Sequence, residues 1–234
     1  MLQVPMELTG KTILITGASG VLGAALTEKL TSKGAKVLGT ATNNDSAGKI
    51  PAKAEVRLLL DYQEPESIQT LTDYLVAASE VDGIINASGV VAFGPAAELD
   101  LETSKRLNSV NSAGPIQLIT QLFSKLKASA EAGNEPFVLN ITGVVAETPM
   151  PGMAAYSSSK IAIHGFFTAL SKEWRREGVR VVSARPGHTE TGLAGRAIAG
   201  TAPNFPQGMT VDHVADRLIA AIEQDEKDLP ASEF

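Results

Sequence analysis

The stretch Thr16-Gly17-Ala18-Ser19-Gly20-Val21-Leu22-Gly23 follows an apolar run, Thr12–Thr16, and opens a segment rich in Ala and Leu. A strand, a glycine-rich turn and a helix in that order make an anion site. Glycines permit the tight turn and a close backbone approach, and the free N–H groups of the helix N-terminus meet a pyrophosphate. Such a turn also occurs where the chain merely needs compactness, so its surroundings decide the fold. Short β-branched runs at Thr12–Thr16, Lys36–Thr40, Glu55–Leu60, Gly83–Asn86, Phe137–Thr142 and Arg180–Arg185 alternate with segments of helical period at about 22–33, 65–78, 101–128, 154–177 and 211–224. The runs are nearly all apolar, as parallel strands covered on both faces must be. This predicts an α/β fold of Rossmann type: a doubly wound, mainly parallel sheet flanked by helices on both faces. No linker or repeat divides residues 1–234, so one nucleotide-binding domain is expected. Two Gly/Ala/Pro-rich stretches, at about 143–154 and 187–210, directly follow strands. Open sheets bind ligands at those carboxyl ends, so both are expected to be substrate loops.

Composition narrows the function. The 234 residues carry 20 Lys and Arg against 26 Asp and Glu, a net charge of −6, and no cysteine. Disulfides, thiolate catalysis and cysteine-held zinc or iron–sulfur clusters are thereby excluded. His164, His188 and His213 stand 24 and 25 positions apart, without the close pairing of a metal-binding helix, so no metal is expected. An acidic chain without a basic run is not expected to bind nucleic acid or an anionic membrane. The segment Met1-Leu2-Gln3-Val4-Pro5-Met6-Glu7 has no basic stretch before a long apolar one, and no run of roughly 18 apolar residues occurs elsewhere, so a cytoplasmic protein is expected.

The second strand ends Val37-Leu38-Gly39-Thr40-Ala41-Thr42-Asn43-Asn44, and the first acid after it is Asp45. An acid at this strand end would bond the ribose 2′-hydroxyl of NAD; its absence leaves room for a 2′-phosphate. NADP(H) is favoured, and NAD(H) stays open. In Tyr156-Ser157-Ser158-Ser159-Lys160 a tyrosine and a lysine lie four apart on an expected helix, hence on one face. A nearby ammonium stabilises phenolate, lowering the tyrosine pKa toward the range useful for moving a proton to or from a substrate oxygen. A solvated helix surface carries the same spacing by chance, but this pair follows a strand and a glycine-rich loop beside the nucleotide site.

Taken in order, Leu8-Thr9-Gly10-Lys11, the glycine-rich turn, Asp61, Asn86-Ala87-Ser88-Gly89, Asn111, Tyr156 with Lys160, and Pro186-Gly187-His188-Thr189-Glu190-Thr191 resemble the short-chain dehydrogenase/reductase family in its compact, single-domain form. The resemblance runs over nearly the whole chain. Gly34–Thr42 also looks like the equivalent stretch of NADPH-dependent 3-oxoacyl-carrier-protein reductases. The family resemblance implies cofactor contacts from Gly17, Ser19, Gly20, Val21, Leu22 and Gly23, from Thr40, and from Asp61 and Tyr62, with Asp61 on the adenine amino group. Asn86, Ala87, Ser88 and Gly89 would support the adenosine ribose, while Thr189, Thr191 and the Pro186-Gly187 turn would hold the carboxamide end. Tyr156 would be the general acid/base, Lys160 would tune it and grip the nicotinamide ribose, and Asn111 would hold a water linking Lys160 to solvent. A homodimer or homotetramer built on the two long helices is implied as well.

Two positions depart from the family pattern. Compact members space the turn TGxxxGxG, whereas here the middle glycine is Gly20 and Val21 takes its usual place; TGxxGxxG is the spacing of the extended members, which include epimerases. Members also place a serine 13 residues before the tyrosine, and position 143 is glycine. Thr142 is adjacent but should point to the opposite face, and His188 could donate a hydrogen bond from the other side. Gly143→Ser is expected to raise turnover, provided no positive φ angle requires glycine there. The expected activity is NADP(H)-dependent interconversion of a small-molecule carbonyl and a secondary alcohol. A sensor or partner protein that has lost turnover is the alternative, and an epimerase rests on the glycine spacing alone. Phe93, Val145, Met150, Met153, Leu193 and Phe205 are candidates for an apolar pocket.

Overall fold

The computed structural model describes residues 5–234; Met1–Val4 of the N-terminal segment read above lie outside the described residues. Its strands are β1 (Thr12–Thr16), β2 (Lys36–Ala41), β3 (Val56–Leu59), β4 (Gly83–Asn86), β5 (Phe137–Ile141), β6 (Arg180–Ala184) and β7 (Asp228–Leu229). They form one sheet in the order β3-β2-β1-β4-β5-β6-β7, and every pairing is parallel. The first six are the runs read from the sequence, to within a residue at the ends. β7 was not foreseen, because two residues carry no alternation. Strand order reverses between β1 and β4, which opens a crevice above their carboxyl ends.

Side chains alternate across the pleat, so each strand feeds two cores. On one face α1 (Val21–Ser32) and α8 (Val211–Glu223) bring Leu26, Leu30, Leu218 and Ile222 onto Ile13, Ile15 and Val182. The other face stacks Leu14, Ile84, Val138 and Val181 against α3 (Pro65–Ala78), α5 (Gly114–Gln121), α6 (Phe123–Glu131) and α7 (Ala154–Trp174). Two short helices, α2 (Asn44–Ala47) and α4 (Leu101–Asn108), complete the set. No helix among the described residues is long and apolar enough to cross a membrane.

One expectation needs correction. The single helix read at about 101–128 is broken twice. Between α4 and α5 the turn Ser109–Ala113 is wide, and the Gly114 N–H bonds the Ser109 carbonyl five residues back. Pro115 causes part of this, since it has no N–H to return to the carbonyl of Asn111. A second break at Leu122 (φ −88, ψ 3) separates α5 from α6.

A buried polar row fixes the strand ends beneath the crevice. Thr16, Asn86 and Asn140 are register partners on β1, β4 and β5. The Thr16 hydroxyl donates to Asn86 Oδ1 at 2.8 Å, and Asn86 Nδ2 donates to Asn140 Oδ1 at 2.7 Å. Side-chain bonds across three strands hold the floor of the site rigid.

Candidate active site

The crevice begins at α1. Gly20 is its N-cap, with no side chain capping the first turn and no acid in it, so the N–H groups of that turn are open to an anion. Gly23 lies so close beneath the turn that a Cβ there would overlap the Gly17 carbonyl oxygen. The Gly17 N–H donates to Thr40 Oγ1 at 3.2 Å, which ties the turn to β2. Past β2, Thr42 is exposed and Asn43 caps α2, its Oδ1 accepting from the Ser46 N–H at 2.9 Å. These elements provide a cradle for a dinucleotide diphosphate, with no carboxylate at the end of β2.

From this turn a cleft of about 290 Å³ runs over the carboxyl ends of β4, β5 and β6. Gly20, Val21, Leu22, Gly23, Ala87, Ser88, Gly89, Tyr156, Lys160, Pro186, Gly187, Thr189 and Thr191 all line it. So do the six apolar residues expected to form a pocket, Phe93, Val145, Met150, Met153, Leu193 and Phe205. Val91 and Arg196 also line it and were not singled out, because loop residues carry no periodicity to mark the side they face. The stretch 187–210 folds back over the β4–α4 connection, where Ile198 N–H donates to the Val91 carbonyl at 2.8 Å and Phe93 N–H to the Ala199 carbonyl at 2.9 Å.

Other expected cofactor residues lie outside the lining. Asp61 is half-buried, and its Oδ1 accepts from the Gln63 N–H at 2.9 Å. Tyr62 is buried in the core under α5, where burial pushes its hydroxyl pKa well up, and its ring lies away from the cleft. Asn86 is turned into the polar row, and Gly17, Ser19 and Thr40 are not part of the lining.

Tyr156 and Lys160 share one face of α7, with the Lys160 ammonium nitrogen 5.9 Å from the centre of the Tyr156 ring. Both are at least nine-tenths buried. Here the structure departs from expectation: burial pushes the Tyr156 hydroxyl up to about 12 and the Lys160 ammonium down to about 8. Burial penalises phenolate and ammonium alike, so the Tyr156 hydroxyl keeps its proton at neutral pH.

Asn111 sits in the wide turn behind them, 1% exposed. Its Oδ1 accepts from the Val90 N–H at 2.9 Å, while its Nδ2 donates to the Val90 carbonyl at 2.9 Å and to Ser159 Oγ at 3.0 Å. Ser159 in turn donates to the Tyr156 carbonyl at 2.7 Å. The amide thus clamps the loop after β4 to α7. Its backbone carbonyl lacks the regular helical donor, because Pro115 has no N–H.

Gly143, just after β5, has φ +99 and ψ 162, a region essentially restricted to glycine. The condition on which Gly143→Ser was expected to help is therefore not met. Thr142 does turn away, its hydroxyl donating to the Ala184 carbonyl at 3.1 Å. Behind the loops Arg185 clasps Asp228 at 2.6 and 2.9 Å and Glu147 at 2.5 Å, joining the 143–154 stretch to the sheet edge.

A doubly wound sheet with this glycine turn and a buried tyrosine–lysine pair defines a dinucleotide-dependent class of oxidoreductase. The family model for short chain dehydrogenases matches residues 11–201, and the chain belongs to that family. A dehydrogenase/reductase SDR family protein 7-like protein of Anopheles gambiae is 27% identical, covering 95% of this chain and 75% of its own. A 3-oxoacyl-[acyl-carrier-protein] reductase of Haemophilus influenzae is 28% identical over 85% of this chain and 84% of its own. Among solved structures, a short chain dehydrogenase from Burkholderia cenocepacia in complex with NADP superimposes with a TM-score of 0.82, at 25% identity, over 97% of this chain and 91% of that one.

Proposed function

We propose that the protein is an NADP(H)-dependent reductase or dehydrogenase that interconverts a carbonyl and a secondary alcohol on a single nucleotide-binding domain. One observation carries the reading. Buried Tyr156 and Lys160 open into the same cleft as the uncapped N-terminus of α1, so a dinucleotide held at that turn brings its reactive end to the tyrosine. The absence of a carboxylate at the end of β2 and the NADP held by the Burkholderia relative support the phosphorylated cofactor, with NAD(H) the weaker ligand.

The bound cofactor supplies or removes a hydride at the carbonyl carbon. Tyr156, protonated at neutral pH, donates its proton to the substrate oxygen, and Lys160 supplies the positive charge that favours the phenolate left behind. Asn111 keeps Lys160 and Tyr156 in register by bonding to Val90 and Ser159. The apolar lining excludes water and suits an apolar carbonyl compound.

Gly143 favours a second reading, a nucleotide-binding sensor without turnover, because no side chain there assists Tyr156. NADPH oxidation screened over ketones, quinones and acyl thioesters separates the two. Stoichiometric oxidation that Tyr156→Phe abolishes supports the reductase; tight NADPH binding without oxidation of any of them supports the sensor.

The outward face of α7 presents Ile161, Ala162, Gly165 and Ala169 to solvent, with Ile161 40% exposed. A second copy covering this face would give the homodimer, or with another face the homotetramer, that the family resemblance implies.

A further inference from the structure

We propose that His188, held beside Glu190, is the second hydrogen-bond donor to the substrate oxygen. This rests on the reading of the cleft as a carbonyl reductase site. The need for a second donor comes from β5. Thr142 spends its hydroxyl on the Ala184 carbonyl, and Gly143 has none to offer. Among the described residues that line the cleft, the titratable ones are Tyr156 and Lys160 on α7 and His188 and Arg196 on the 187–210 stretch. Arg196 is exposed and its guanidinium is engaged by the Thr191 carbonyl at 3.3 Å. Lys160 lies against Gly89, where a Cβ would come within 3.1 Å of its nitrogen, on the nucleotide side of the tyrosine. Of these four, His188 is left beside the apolar residues Phe93 and Phe205 of the lining.

Its ring is held. Phe205 stacks on it at 5.0 Å between centres and 27° between planes, and Phe205 in turn meets Phe93 at 6.1 Å. Gly208 closes the other side, since a Cβ there would lie 2.6 Å from His188 Cδ2. Glu190 Oε1 lies 3.5 Å from His188 Nε2 and is itself fixed by the Gly208 N–H at 2.7 Å. A ring with a proton on both nitrogens can meet the Glu190 carboxylate with one and present the other to a substrate oxygen. A donor oriented by a carboxylate and locked by stacking is the preorganised arrangement that stabilises charge developing on an oxygen. The balance is simple. Hydride goes to the carbonyl carbon, the Tyr156 proton goes to the oxygen, and His188 lends a hydrogen bond without giving up its proton.

The test is NADPH oxidation against pH, using an active ketone, for wild type, His188→Phe, His188→Gln and Tyr156→Phe, with NADPH titration checking that each binds cofactor. Phenylalanine keeps the stack on Phe205 and removes the donor; glutamine keeps a neutral donor. Wild-type kcat should fall once pH is high enough to remove the second ring proton, while His188→Gln retains part of the activity without that step and His188→Phe loses roughly 10²–10³-fold at low pH. Should His188→Phe fail to fold, the presence or absence of the step in wild type against His188→Gln decides alone. Tyr156→Phe inactive with His188→Phe at the wild-type rate, or the same pH profile in wild type and His188→Gln, overturns the His188 assignment and spares the reductase reading. No oxidation by wild type with any carbonyl, or a fully active Tyr156→Phe, overturns both.

Discussion

The Thr142 hydroxyl donates to the Ala184 carbonyl at 3.1 Å, and this bond leaves Thr142 and Gly143, which follow β5 into the cleft lining, with no free side-chain donor. A Cβ at position 143 has room, its nearest neighbour being the Pro186 carbonyl oxygen at 3.7 Å. The obstacle is the backbone, with φ at +99. Gly143→Ser should therefore lower stability by about 1–3 kcal/mol and gain no rate. Thermal melts and single-turnover NADPH oxidation check this. A stable variant with faster turnover would mean that the strand end relaxes freely.

Lys160 offers a stability test with a definite sign. Its folded pKa, about 8, is depressed from 10.5, so between those values the unfolded chain binds more protons and stability rises with pH. At neutral pH the ammonium works against folding, by up to on the order of 3 kcal/mol. Lys160→Met should raise Tm at pH 7, narrow the difference above pH about 10, and abolish turnover. Melts across that pH range, run beside the activity assay, decide it.

Asn111→Ala should remove three hydrogen bonds at once and strand the backbone groups of Val90. The expected cost is about 1–3 kcal/mol for each buried group left unpaired, with turnover falling more than cofactor affinity. Urea melts and NADPH titration separate the two effects.

Thr42→Asp would place a carboxylate at the exposed end of β2. Repulsion of a 2′-phosphate should weaken NADPH binding at least tenfold, about 1.4 kcal/mol, while NADH binding holds or improves. Titration of both cofactors reads the change. An unaltered NADPH affinity would put the phosphate elsewhere.

On α7, Gly165 is exposed with open space around its Cα. Gly165→Arg should be tolerated in a single chain and should block a second copy from covering the helix. Light scattering is expected to give an oligomer for wild type and a monomer for the variant.

Much of this was legible in the residues. Strands covered on both faces read as apolar runs, which is why β1 to β6 could be placed within a residue. The cleft lining was legible too, since glycine-rich loops after strands mark carboxyl ends. Helix continuity misled, because the apolar period carries across 101–128 although Gly114-Pro115 signals a break. The electrostatics of Tyr156 and Lys160 could not be read from spacing. Four positions on a helix fix their common face, but both pKa values move through burial, and Tyr156 is buried among residues as distant in sequence as Val91, Phe93 and Leu107. Nor does the chain announce the role of Asn111, whose partner Val90 lies 21 residues away. The φ angle of Gly143 is a property of the folded strand end alone.

The strand β7 has two residues, Asp228 and Leu229, and Pro230 follows immediately. A proline cannot donate to a ladder, and Arg185 already occupies the Asp228 carboxylate. This border of the sheet therefore has almost no length of backbone to offer an incoming chain, and templated growth from it is blocked. The fold discourages fibrous aggregation at the margin nearest the substrate loops, where nascent chains would otherwise find an adhesive rim.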